Sequence, residues 1–351
     1  MPSASPEAGL AAGLAARLGG GEVRDLRRLS GGANMETWAF DWVPGAGRRD
    51  GQESTQQTAQ SDAAAQPMIL RRLPAGVASG GEDALLPLDL GVEAALLRLA
   101  GRGGVPVPAV RAELAAADGL GTGYLMDRLP GEALPQKLFR DARYASALDG
   151  LAAACGRALA AIHALPTDGL PPALPRDSHG ERLARLQGLL DGFGDVSPVL
   201  QLALGWLQAN APAPAPLCLV HGDFRCGNLL VTPGGLEAVL DWERAHLGYP
   251  AEDLGYLCAN VWRFGRSDRP VGGFGAYEDL LDAYRSAAGW APTVAALHYW
   301  EVFAALDWGL VCLTMLDLHR SGRDPSLERA AVGRRLSEAE IDLLLLLEDH
   351  L

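Results

Sequence analysis

The chain is nearly without lysine. Of its 30 lysine and arginine residues, Lys137 is the only lysine. Away from Lys137, a site that needs a permanent side-chain cation must therefore use a guanidinium, which keeps the charge but imposes a planar fork. Cysteine is sparse and unpaired in spacing: Cys155, Cys218, Cys226, Cys258 and Cys312 include no CxxC. That excludes a zinc ribbon and a disulfide framework, and it predicts free thiols in a reducing compartment. The seven histidines form neither HxH nor HExxH. No basic segment precedes the apolar part of the first twenty residues, so a signal peptide is not expected. The most apolar long stretch, 299–318, is interrupted by Glu301, Asp307 and Asp317, which predicts a core helix and not a membrane span. The cytoplasm is the expected location. A net charge of −13 disfavours a nucleic-acid partner, although a local cationic pocket could still hold a nucleotide.

What is present suggests two lobes. A chain of 351 residues with 48% hydrophobic side chains exceeds one small core. Residues 9–18 read as an amphipathic helix. Residues 26–43 read as two strands joined by the turn Ser30-Gly31-Gly32-Ala33-Asn34, and 68–73 as a third. Between them, 44–67 holds almost no large apolar side chain and reads as a mobile insert. Leu90, Ala94, Leu97 and Ala100 give 88–99 helical spacing. Residues 105–108 and 124–129 read as strands around a loop at 116–122. Beyond Gly131 the pattern turns helical, over 145–165, 180–190 and 198–210, and again from Pro250 to the end. A β-hairpin is set between, with strands at 217–220, 229–231 and 236–242 around Thr232-Pro233-Gly234-Gly235. The class is α+β, with a strand-rich lobe over 1–130 and a helical lobe over 131–351.

The chemistry is concentrated in LVHGDFRCGNLLVTPGGLEAVLDWERAHLGYP, residues 219–250. Asp223 follows a strand and a small residue. Asn228 lies five positions on, and Asp241 ends the returning strand of the hairpin. Oxygen ligands from a loop and a strand end suit Mg²⁺, which keeps waters and shares its shell with substrate phosphates. One carboxylate left off the metal can take a proton from an attacking hydroxyl. This HxDxxxxN order, followed by a second Asp, is the logic of a kinase catalytic loop. On this stretch alone, His221, Asp223 and Asp241 could equally form a hydrolytic metal site. His163, in LAAIHAL, reads as a satisfied core histidine.

The upstream sequence favours a kinase. The Gly31-Gly32 turn can bring backbone N–H groups close to phosphates. The strand Met68-Ile69-Leu70-Arg71 puts a cation where kinases carry a lysine, and Glu93 lies on the next helix to pair with it. A hydrolase needs neither feature. A nucleotide-binding protein without turnover would not need Asp223, Asn228 and Asp241 together.

HGDFRCGN followed by LDWE resembles the signature of the aminoglycoside phosphotransferase family of small-molecule kinases, which share the protein-kinase-like two-lobe fold. The wider run, DWERAHLGYPAEDLGYL with NVWRFG, GGFG and HYWEVFAALDWGLVCL, is similar to the branch related to the kinase-like domain of acyl-CoA dehydrogenase family proteins. The resemblance implies ATP and Mg²⁺ as cofactors, Asp223 as catalytic base, and Asn228 and Asp241 as metal ligands. It implies that Arg71 and Glu93 hold the phosphates, with Gly31, Gly32 and Asn34 in the phosphate turn. It makes 124–129 the hinge whose backbone meets adenine, with Met126, Asp127 and Leu129 as its contacts, and Asp253 a structural acid under the catalytic loop. Two departures stand out: arginine in place of the phosphate lysine, and the 44–67 insert. The implied acceptor is a small alcohol, a hydroxyacyl thioester in the branch named, with an aminoglycoside or other sugar as the alternative. Candidate acceptor contacts are Arg225, Glu243, Trp262, Arg263 and Trp308; for the tryptophans, Trp300 included, core packing is the competing reading. Arg263 stands out among them as a cation for an anionic group.

Overall fold

Alternation along three N-terminal segments builds the first unit. In the computed structural model, which describes residues 6–29, 35–45, 64–73, 88–194, 197–213 and 216–350, α1 (Pro6–Arg17) leads into β1 (Glu22–Leu29), β2 (Glu36–Val43) and β3 (Gln66–Leu73). Helix α2 (Leu90–Arg102), β4 (Val110–Glu113) and β5 (Thr122–Asp127) complete it. The strands form one antiparallel sheet in the order β1-β2-β3-β5-β4. Side chains alternate between its faces. Trp38, Phe40, Met68, Leu70 and Leu125 form one buried cluster with Leu10 and Leu14 of α1. Arg71 stands on the other face. The turn holding Gly31, Gly32 and Asn34, and residues 46–63 of the polar insert, lie outside the described residues.

The strand expected over 105–108 does not form. Pro106 and Pro108 have no N–H to give a ladder, and β4 begins at Val110 instead.

The second unit comprises residues 102–106 and 131–351. Its helices are α3 (Pro135–Leu138), α4 (Ala145–Asp149), α5 (Leu151–His163), α6 (His179–Phe193), α7 (Pro198–Ala209), α8 (Pro250–Cys258), α9 (Tyr277–Ala288), α10 (Val294–Arg320), α11 (Leu327–Gly333) and α12 (Leu336–Leu347). The helix expected over 145–165 is broken at Gly150, with a bend of 54° between its halves. Residues 259–276, expected to be helical, are instead short turns around a 3₁₀ turn at Asn260–Trp262. Helix α10 is apolar and long enough to span a membrane by composition, yet 56% of its most apolar window is buried inside the protein. It packs with α6, α7 and α12 around Leu200, Leu204, Trp300, Phe303, Leu306 and Leu343. Gly255 lets α8 approach α10: a methyl group there would strike Trp300 and the carbonyl of Leu297.

Between α7 and α8 lie the short strands that carry the site. Strand β6 (Cys218–Val220) pairs antiparallel with β9 (His246–Gly248). The hairpin of β7 (Leu229–Thr232) and β8 (Gly235–Val239) projects between them. The returning strand stops at Val239, two residues before Asp241, because Asp241 takes a left-handed backbone with φ 63°.

Candidate active site

The loop from His221 to Asn228 is held from beneath by one acid. Asp253, fully buried in the first turn of α8, accepts the backbone N–H of His221 at 2.7 Å and of Gly222 at 2.8 Å. His163 Nε2 lies 3.1 Å from the same carboxylate, and its Nδ1 is 3.0 Å from the Tyr284 hydroxyl. His163 is thus a satisfied core histidine. Gly222 sits at φ 77°, and any Cβ there would collide with the carbonyl oxygen of Arg244. A side chain would suffer both strain and overlap, so the turn requires glycine.

His221 has no free lone pair for a metal. Its Nδ1 accepts the N–H of Asp223 at 3.2 Å, and its Nε2 donates to the carbonyl of Leu240 at 2.9 Å. The ring is buried against Trp242 and Phe224. Burial pulls its pKa down, against the pull of Asp253 and Asp223. A neutral imidazole with both nitrogens engaged ties the loop to the segment before Asp241, which removes it from the hydrolase reading. Among the described residues, no group of three or more His, Cys, Asp and Glu is arranged to hold a metal ion.

Asp223 and Asn228 meet directly. Asn228 Nδ2 donates to Asp223 Oδ2 at 2.6 Å and to its backbone carbonyl at 2.9 Å. The Leu240 N–H donates to the Asn228 carbonyl at 2.8 Å, so the hairpin delivers Asp241 beside the same loop. With its amide nitrogen committed, Asn228 retains Oδ1 as an acceptor. An amide oxygen and a carboxylate are the hard-oxygen donor types that suit Mg²⁺.

Two further donors reach Asp223 Oδ1. Tyr256 OH donates at 2.8 Å, and Arg225 Nε at 3.0 Å. Burial, then the negative charge of Asp223, pushes the Tyr256 phenol well above its usual range, so it remains a donor. Burial works most strongly against the Arg225 cation, but the Asp223 charge and hydrogen bond together with Tyr256 and Asp241 outweigh it, and the net shift is upward. Arg244 lies behind Tyr256, 3.4 Å from its hydroxyl, and is paired with Asp307 at 2.8 Å. Sequence reasoning missed Tyr256, Arg244 and Asp307. One signal was available: Tyr256 is three residues after Asp253 on α8, so the two share a helix face.

The remaining expected contacts separate. Arg263 is consumed internally: Nε and Nη2 donate to the Cys258 carbonyl at 2.9 and 2.7 Å, and Nη2 is 3.1 Å from Glu301. Trp300 is core. Trp262 is buried, 5.5 Å from the half-buried Trp308 between ring centres, and Arg225 stacks on it at 4.6 Å. Glu243 is half-buried, two residues past Asp241.

In the first unit, Arg71 Nε meets the buried Glu93 at 3.0 Å. Arg72 points the opposite way, pairing with Glu36 at 2.8 Å and donating to the Leu120 carbonyl at 3.0 Å. Met126 and Asp127 lie inside β5, paired to β3, and the Asp127 N–H is spent on the Ala109 carbonyl. Arg128 N–H is spent on Pro67. Leu129 is the first residue past this ladder.

Residues 47–290 match the phosphotransferase enzyme family. The chain is 28% identical over 208 residues to acyl-CoA dehydrogenase family member 10 of Mus musculus; the match covers 54% of this chain but 18% of that protein. Among solved structures it resembles a candidate aminoglycoside phosphotransferase from Ralstonia eutropha JMP134, with a TM-score of 0.70 and 19% identity over 97% of this chain and 98% of the other. It also resembles a thermostable aminoglycoside phosphotransferase mutant in ternary complex with AMP-PNP and hygromycin B, with a TM-score of 0.58 and 17% identity over 95% and 98%. These likenesses show a kinase-like fold.

Proposed function

This chain belongs to the phosphotransferase enzyme family, and from that premise we propose that it moves the γ-phosphate of ATP to the hydroxyl of a small molecule. The observation that carries the reading is the Asp223–Asn228 pair at 2.6 Å, with Asp223 stitched through His221 and Gly222 to the buried Asp253. Asp223 accepts the acceptor's hydroxyl proton as its oxygen attacks phosphorus in line. Asn228 and Asp241 would hold Mg²⁺, which when bound would supply charge shielding for the phosphate oxygens. Arg71, anchored by Glu93, takes the phosphate role of the missing lysine, and Leu129 offers the backbone contact to adenine. A ternary complex of a structural neighbour with AMP-PNP supports the nucleotide. The likeness to an acyl-CoA dehydrogenase family member supports a hydroxyacyl-thioester-like acceptor over an amino sugar. Five buried free thiols fit a reducing, cytoplasmic setting.

Asp223→Asn tests the reading. Asparagine preserves shape but cannot accept the proton, so phosphate transfer falls by about 10²–10⁴-fold while nucleotide affinity is retained. A variant that turns over near the wild-type rate overturns the assignment.

A further inference from the structure

One turn of α8 holds the catalytic loop at two points. Asp253 takes the backbone N–H groups of His221 and Gly222, and Tyr256, three residues on, gives its hydroxyl to the Asp223 side chain at 2.8 Å. Residues three apart on a helix share a face, so the two anchors are set by one rigid element. The Tyr256 ring is tilted against Trp262, with ring centres 5.6 Å apart. Among the described residues its hydroxyl proton has one acceptor, Asp223 Oδ1. Arg244 Nη1 lies behind it at 3.4 Å, a long contact from a partly exposed side chain. The charge of Asp307 raises Arg244 well above its ordinary range, so Arg244 stays a cation and a donor.

The donors on the Asp223 carboxylate are unequal. Oδ1 accepts from Tyr256 at 2.8 Å and from Arg225 Nε at 3.0 Å. Oδ2 accepts from Asn228 Nδ2 at 2.6 Å, and Arg225 Nε reaches it only as the longer arm of a shared contact, at 3.2 Å. A carboxylate oxygen offers two lone-pair directions. Both are filled on Oδ1, while on Oδ2 one is filled and the other is shared.

We propose that Tyr256 is a positioning residue for phosphate transfer: its hydroxyl, with Arg225 Nε, occupies Oδ1 and so presents Oδ2 to the acceptor as the oxygen that takes the hydroxyl proton. This rests on the phosphotransferase reading and deepens it at the same site. As the acceptor oxygen bonds to the γ-phosphorus, its proton passes to Asp223 Oδ2. The bond from phosphorus to the bridging oxygen breaks, and its electron pair leaves with ADP. Tyr256 neither gains nor loses a proton in this step. It cannot relay one, because the group behind it is an arginine, which accepts none. It acts by fixing an angle. The terminal torsion of an aspartate is broad, so without the phenol the carboxylate turns more freely and the reacting oxygen loses its aim.

Tyr256→Phe removes the hydroxyl and keeps the ring that packs on Trp262. ADP release from Mg²⁺·ATP is followed with water alone and with 3-hydroxybutyrate as acceptor probes. With each probe that wild type uses, kcat should fall by about 10–10²-fold, as a misaimed base requires. KM for ATP and the calorimetric affinity for Mg²⁺·ATP should stay within about twofold of wild type. In an Asp223→Ala background the same substitution should cost no more than about twofold further, because no carboxylate remains to be aligned. Circular dichroism checks that each variant is folded at the assay temperature. An unchanged kcat overturns the proposal. So does a loss carried by the KM of one acceptor, which would make Tyr256 an acceptor contact, or the same loss in both backgrounds, which would make it structural only. If wild type binds Mg²⁺·ATP and releases ADP while Tyr256→Phe matches it, the positioning role is wrong and the phosphotransferase reading stands. If wild type neither binds Mg²⁺·ATP nor releases ADP, both fall.

Discussion

Removing the carboxylate of Asp253 should loosen the catalytic loop and lower the stability of the second unit together. The side chain is fully buried and receives three donors: the N–H groups of His221 and Gly222, and His163 Nε2. Asp253→Ala leaves all three without an acceptor. At about 1–3 kcal/mol for each buried unsatisfied donor, the sum is about 3–9 kcal/mol. Water entering the vacated volume reduces this, and losing one partner of a buried charged contact costs about 3–5 kcal/mol, which sets the working value. For a unit of this size each kcal/mol shifts the melting temperature by about 2–4 °C, so circular dichroism should record a fall of about 6–20 °C. Turnover should fall as well, because the N–H groups of His221 and Gly222 fix the residues just before Asp223. Asp253→Asn keeps one acceptor oxygen but turns a donor toward a backbone N–H, and should lie between alanine and wild type. A melting temperature within about 2 °C of wild type for Asp253→Ala would refute the claim that this acid holds the loop.

Arg71→Ala should weaken ATP binding and turnover together, since it removes a cation and the guanidinium that meets the buried Glu93 at 3.0 Å. Arg72→Ala should leave ATP affinity near wild type and lower only stability, because Arg72 serves Glu36 and the Leu120 carbonyl on the other sheet face; similar nucleotide-binding losses in calorimetry for both variants would contradict that register. Asp241→Asn keeps a residue that tolerates the left-handed backbone at φ 63° but removes the charge, so the Mg²⁺ dependence of ATP affinity should weaken; an unchanged titration would assign the metal elsewhere. Burial pushes the Glu301 carboxyl up to about 7, against the Tyr277 hydrogen bond and the Arg263 charge. The folded state therefore binds more protons than the unfolded chain between its ordinary value of 4.5 and about 7, and this contribution to stability is lost as pH rises through that window. Urea melts of wild type against Glu301→Gln should show that difference shrinking with rising pH, and a difference that grows would reverse the sign.

Local spacing by itself determined the parts of this protein whose partners lie nearby in the chain. The five-residue step from Asp223 to Asn228 spans one loop, and that loop closes on itself with Asn228 donating to Asp223. Alternation along β3 was enough to send Arg71 and Arg72 to opposite faces. Helical periodicity in 88–99 was enough to set Glu93 on α2. Contacts between distant segments were decided only in three dimensions. Arg263 reads as an open cation in sequence, yet Glu301, thirty-eight residues away on α10, takes it. Tyr256 drew no notice in sequence, yet the turn of α8 aims its hydroxyl at Asp223, and Arg244 and Asp307 close in behind it from two other elements. Arg225 shows the division within one side chain. Its place two residues after Asp223 is a property of the sequence, but its stacking on the ring of Trp262 exists only once α8 and the 3₁₀ turn after it have packed. A buried polar group must find a partner wherever the fold supplies one, and the fold supplies most of these from across the chain.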